Sequence, residues 1–223
     1  MSTPDLYLQT AFVLNSDGRI TSTREPGPSR GPAFSLVRST ARCAWAVRVD
    51  LPQKLANELD NLAREEAPAL DLQDAPVHAD RYMSLVGGRI ESGPAFTFPD
   101  AVAQPADIVF IEDLRLLSHN FRGWTAGEIP GRSPILAVVE HGHAVSVCFC
   151  ARRSDVAAEA GLETATALRG RGFGPRVTAA WALAIRASGR VPLYSTSWTN
   201  DASLTVARKL GLVAYASTWS LTG

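Results

Sequence analysis

The sequence predicts an α/β (α+β) chain, strand-rich in its second half and carrying helices around the strands. Three observations predict it. Residues 134–140 and 144–150 are apolar runs joined by His141-Gly142-His143, the pattern of a hairpin. Residues 158–165 read as a strand, and Arg169, Gly172 and Gly174 follow it on the spacing Arg-x-x-Gly-x-Gly. A run of helical periodicity through Trp181 and Ile185 comes next, and residues 191–197 make another strand.

The remaining elements are read in chain order. Residues 6–20 form an apolar strand that breaks at Asn15-Ser16-Asp17-Gly18 and resumes at Arg19, with Asp17-Gly18 supplying a hairpin turn. Residues 23–32, rich in proline and glycine, are a loop. Residues 44–49 are a strand. Asp50 then caps a helix that has Pro52 in its first turn and an apolar stripe of Leu55, Leu59 and Leu62. Residues 67–80 are an acidic, proline-marked connection, and the irregular character continues from Gly87 through Pro94. Phe96 and Phe98 alternate with threonine in a short edge strand. After Ala106 comes a strand, then a helical segment around 114–124.

Composition narrows the functional classes. With 22 basic and 22 acidic residues among 223, the chain lacks the electrostatic footprint of a nucleic-acid binder. No apolar run approaches the ~20 residues of a membrane span. The first residues lack the basic and apolar regions of a secretory signal, so a cytoplasmic protein without membrane partners is expected. Cys43, Cys148 and Cys150 have no metal-site spacing, and the pair flanking Gly142, His141 and His143, lacks further ligands nearby. Reduced thiols, solvated imidazoles and no metal are therefore expected.

The glycine loop favours an anion. Glycines let backbone N–H groups turn inward, and the helix that follows presents unpaired amides and its positive dipole end. Pro175 suits the first turn, where its missing N–H costs nothing. The loop lacks the Gly-Lys-Ser/Thr ending of a Walker loop.

Together with Trp198-x-Asn200-x-x-Ser203 and Lys209-Leu210-Gly211, these residues resemble the GNAT superfamily of acetyl-CoA-dependent N-acetyltransferases. The resemblance runs from about residue 105 to 223. Glu159-x-Gly-x-Glu163-Thr164 before the loop, together with those two motifs after it, resembles the branch of antibiotic self-resistance acetyltransferases of the zwittermicin type. The resemblance implies a mixed, mostly antiparallel sheet flanked by helices, with residues 1–104 as an accessory N-terminal α+β region and 105–223 as the acetyltransferase domain. It implies acetyl-CoA as co-substrate and a small-molecule primary amine as acceptor, and it admits a homodimer. A catalytically silent acyl-CoA-binding sensor or structural module is the alternative.

Residue by residue, the resemblance places the pantetheine arm between the strand of residues 158–165 and that of 191–197, against Thr164, Ala165 and Thr166. It places the pyrophosphate on Arg169, Gly170, Arg171, Gly172, Phe173 and Gly174, Arg171 being otherwise a solvated loop charge. Asn200 and Ser203 contact the cofactor arm, cap the following helix, or do both. Glu159 and Glu163, four apart on one strand face, are the carboxylates for proton transfer unless they only pair with an arginine or position substrate, Glu163 being favoured by its depth. Many members carry a tyrosine seven residues after the asparagine, where this sequence has Ala207. The proton for the leaving thiolate then falls to Tyr194, Tyr215, Ser203 or solvent.

Overall fold

The computed structural model describes residues 3–223. Helix α1 (Pro4–Ala11) leads into a hairpin of β1 (Phe12–Leu14) and β2 (Ile20–Thr23). Strands β3 (Phe34–Arg38) and β4 (Cys43–Val47), helices α2 (Gln53–Arg64) and α3 (Ala79–Val86), and strand β5 (Arg89–Thr97) complete the N-terminal part. Strands β6 (Ile108–Phe110), β7 (Leu136–Glu140), β8 (His143–Arg153) and β9 (Ala157–Thr164) follow, with the short helix α4 (Ile129–Arg132) between β6 and β7. Helix α5 (Phe173–Ala187), strand β10 (Val191–Ser195), helix α6 (Asp201–Lys209) and strand β11 (Val213–Thr222) close the chain.

Nine of these strands form one sheet in the order β4-β3-β11-β5-β10-β9-β8-β7-β6. Every ladder in it is antiparallel except β9 with β10. Strand alternation gives the sheet two differently covered faces. Cys148, Cys150, Ala158, Ala160 and Tyr194 pack under α5, whose Val177, Trp181 and Ile185 are buried against them. Their neighbours in sequence face the other way. There Tyr7, Leu8 and Ala11 of α1 cover Val37, Ala95 and Ala216, while Phe149 and Val147 meet Leu117 and Phe121.

The chain departs from the sequence expectation at four places. Residues 6–11 are helical instead of extended, because Thr3 accepts the Leu6 N–H on its side chain (3.2 Å) and Pro4 opens the first turn. The hairpin expected next is present as β1 and β2. Asp50 does not cap α2; the cap position is Pro52, and the Asp50 carboxylate is held by Arg48 and Arg30.

The segment expected to be irregular, followed by an edge strand, is instead β5, paired on both sides with β11 and β10. Gly93 and Pro94 made it look like a loop. Gly93 is required by close approach, since a Cβ there would lie 1.6 Å from the Thr196 carbonyl oxygen. Pro94 still accepts the Thr196 N–H on its carbonyl (3.3 Å). The helix expected around residues 114–124 is a run of isolated turns closed by Ser118 N–H to Leu114 and Phe121 N–H to Leu117. Helical geometry begins only at Ala126.

Candidate functional site

Strands β9 and β10 are neighbours for three residue pairs only, ending at Leu193 opposite Glu159. Beyond that level β9 stays with β8 as far as Thr164, and β10 stays with β5 as far as Ser195. The strands therefore part. The β9 backbone groups that point toward β10 past Glu159 have no ladder partner and can receive a ligand's amides.

The split opens into a cleft of about 840 Å³, lined by α5 and α6 from one face of the sheet and by Asn120 and Phe121 from the other. The structure brings Glu163, Thr164, Ala165, Thr166, Arg169, Gly170, Gly172, Phe173, Gly174, Asn200 and Ser203 to its lining. Of the expected loop residues, Arg171 alone lies outside it. Gly172 takes φ +83° as it opens α5, a left-handed conformation that glycine adopts without strain. Nothing lies within 4 Å of the place where its Cβ would be, so the backbone can approach a ligand there. The Asn200 side chain accepts the Ser203 N–H (3.1 Å) and caps α6. The N-termini of α5 and α6 thus face one cavity, where their unpaired amides and dipoles favour an anion. Lys209, at the far end of α6, adds a cation to the same lining. Its position one helix away from the loop hid it from a reading of the loop itself.

Arg169 spends its Nε on the Thr164 carbonyl (3.3 Å), which ties the loop to the end of β9. Thr164 in turn shares a hydrogen bond with Ser146 Oγ (2.8 Å), so its side chain serves the β8 contact.

Tyr194 lines neither of the two cavities described here. It is buried under α5, and its hydroxyl meets the Ser203 hydroxyl from behind the cleft wall. Burial raises its phenol above the usual range, the Ser203 hydrogen bond opposing. Tyr215, the other candidate donor, has a buried hydroxyl without a protein partner. Ala207 is 2% exposed in the core between α6 and the sheet.

The opposite face of the sheet carries a second cleft, about 890 Å³, lined by α1, the loop after β2 and the ends of β5, β10 and β11. Glu159 lies there at 3% exposure, whereas Glu163 is exposed in the first cleft. The expected order of depth is therefore reversed, because Glu159 sits at the level where β10 still covers β9 and Glu163 lies in the open split. Arg152 donates from Nη2 to the Glu159 carboxylate (3.1 Å) and holds Nε 2.8 Å from it as an ion pair, and the Ser195 hydroxyl donates to it as well. Burial is the largest influence on the Arg152 guanidinium and would lower it, but the charges of Glu159, Tyr7 and Glu25 and the Glu159 hydrogen bond together outweigh it and hold the group protonated. Glu163 receives the Trp124 indole N–H at 3.4 Å. Arg152, Ser195 and Tyr7 are site residues that the sequence reading missed. The one signal was a basic residue just past the strand of 144–150.

A family model described as FR47-like protein matches residues 139–220, from the end of β7 to β11. A GNAT-family protein from Novosphingobium aromaticivorans is similar over 60% of this chain and 64% of its own, at 20% identity and a TM-score of 0.50. The match thus spans less than two thirds of that relative. A GNAT-family acetyltransferase from Colwellia psychrerythraea covers 80% of this chain and 76% of its own at 13% identity and a TM-score of 0.50. A conserved protein of unknown function from Staphylococcus epidermidis covers 98% and 96% at 12% identity and a TM-score of 0.53. No curated protein matches in sequence. The fold is a mixed α+β one with a large, mostly antiparallel sheet flanked by helices, as in these GNAT structures. Among the described residues no helix is long and apolar enough to cross a membrane.

Proposed function

We propose that this chain is an acetyl-CoA-dependent N-acetyltransferase that acylates a primary amine of a small molecule. The observation that carries the reading is the β9/β10 split. It separates an anion-favouring cleft with two helix N-termini from a second cleft with a buried carboxylate, and Asn200 lines both. We read residues 1–104 as the part that walls the acceptor side and 105–223 as the part that holds CoA. This is a division of roles within one sheet, since β5 stands between β10 and β11.

The fit to CoA rests on this chain's own groups. Free backbone donors on β9 suit the amides of a pantetheine arm, and the Gly172 loop with the amides of α5 suits a pyrophosphate. Arg169 and Lys209 supply charge beside it. Bound there, acetyl-CoA would supply an activated thioester. Glu159 accepts a proton from the acceptor's ammonium group and leaves it a neutral, nucleophilic amine, a general-base role that contributes about 10²–10⁴-fold. Ser203 lines the CoA cleft and is held by Tyr194 behind it, so it is the hydroxyl placed to donate toward a departing thiolate. The second cleft is rich in hydroxyl and charged side chains, which suits a polar amine in a cytoplasmic setting. Residues 159–164, 198–203 and 209–211 together lead us to the zwittermicin-type branch as a comparison for the acceptor.

The test is thiol release from acetyl-CoA by the full chain with glucosamine, lysine, spermidine and phenethylamine. Release that rises with at least one amine, with the product acetylated on nitrogen by mass spectrometry, is the expected result. Tight CoA binding without amine-dependent release by any acceptor would instead identify a catalytically silent acyl-CoA-binding module. The absence of a tyrosine at position 207 keeps that reading in view.

A further inference from the structure

The grip on Glu159 comes from a local irregularity. Strand β8 pairs Cys150 with Ala160 and then Arg152 with Glu159, so Ala151 is an extra residue in the ladder. In an unbroken strand Arg152 would share the α5 face with Cys150, and Ala151 would stand opposite Glu159. The bulge reverses this and turns the guanidinium to the α1 face, a re-aiming that bulges next to functional sites commonly perform.

The carboxylate then has two donors from the protein, the Ser195 hydroxyl and Arg152 Nη2, both on Oε1. Arg152 Nε lies 2.8 Å from Oε2 as an ion-pair contact. A carboxylate offers about four acceptor sites, so about two are left, on Oε2, for a ligand in the cleft that Glu159 lines. On its other side Arg152 lies 6.0 Å from the centroid of the Tyr7 ring, itself 7% exposed on α1. An aromatic face at that distance attracts a guanidinium.

We propose that Arg152 and Ser195 are positioning residues for Glu159, and that Tyr7 of the N-terminal helix holds Arg152 in place. The acceptor-side carboxylate is thereby presented with Oε1 occupied and Oε2 free to accept. The inference rests on the acetyl-transfer reading for its kinetic consequence but not for its geometry. Because the Glu159 oxygens are already occupied on one side, the incoming ammonium meets a carboxylate of fixed orientation and needs no rearrangement of the site. The N-terminal segment takes part in this through one side chain, which is why residues 1–104 matter to a site whose recognisable motifs all lie after residue 158.

Removing Arg152 outright would leave a buried carboxylate unpaired and endanger folding. The test therefore uses Arg152→Lys, which keeps the charge and loses the two-point grip, together with Ser195→Ala and Tyr7→Leu. Crystal structures of the full-length Arg152→Lys and Ser195→Ala proteins are expected to show the Glu159 carboxylate rotated from its present position. With the amine that releases thiol fastest, kcat is expected to fall roughly 10-fold or more in Arg152→Lys and about 5-fold in Ser195→Ala, with the KM for acetyl-CoA unchanged. Tyr7→Leu should lower kcat in the parent and add little to Arg152→Lys, since the two act through one contact. A Glu159 carboxylate that stays in place in both structures overturns the proposal, as does wild-type kcat in Arg152→Lys. Absent CoA binding by calorimetry would instead fault the acetyl-transfer reading, with the carboxylate's position still deciding the positioning roles.

Discussion

The hydroxyls of Tyr194 and Ser203 meet across the wall of the cleft between α5 and α6, the phenol buried under α5 and the serine facing the cavity. The tyrosine thus has no direct path to a ligand there. Its effect on any reaction passes through Ser203.

That burial is general. All four tyrosines, Tyr7, Tyr82, Tyr194 and Tyr215, have phenols raised above the usual range, desolvation being the main cause in each. For an acid whose folded pKa lies above its unfolded value, folding is favoured below the unfolded pKa, about 10, and this contribution is lost as pH rises past it. The native protein should therefore show little tyrosinate absorbance at pH 10 to 10.5, with the signal arriving together with unfolding. Titration near 295 nm alongside far-UV circular dichroism checks this, and a tyrosine ionising normally in folded protein would contradict it.

Gly172→Asp should abolish CoA binding by calorimetry. It forces a side chain into a left-handed backbone at φ +83° and sets a negative charge where the loop would meet phosphate. Unchanged affinity would remove the loop from the CoA site.

Glu159→Gln should lower kcat by about 10²–10⁴-fold, with CoA affinity nearly intact. Glu163→Gln should cost less, because that carboxylate is exposed and bonded only to Trp124. Steady-state kinetics of both variants check this, and wild-type kcat in both would leave the two glutamates as structural groups.

Ala207→Tyr tests whether the missing phenol could be restored. Ala207 is packed into the core under α6, so a large ring should destabilise the fold by about 1–3 kcal/mol or more and lower Tm without raising turnover. A gain in kcat at unchanged Tm would show that the core opens there.

The fragment 105–223 should be insoluble. It lacks β5, which pairs with both β10 and β11, and so exposes the edges of two central strands. Sedimentation and circular dichroism of the fragment decide the point, and a folded, active fragment would refute it.

What the sequence by itself determined is local. The hairpin of β7 and β8, the strand–loop–helix from β9 into α5, the positive φ at Gly172 and the Asn200 cap each follow from residues within a few positions of one another, where glycine, asparagine and apolar spacing act directly on the backbone. The tertiary structure decided the rest. Pro94 sits in a central strand because partners about a hundred residues later in the chain supply both ladders. Glu159 is the buried carboxylate and Glu163 the exposed one because β10 leaves β9 between them. Arg152 belongs to the site because one extra residue in β8 turns it over. Strand neighbours, register and bulges depend on contacts between distant segments, and alternation along a single strand does not encode them.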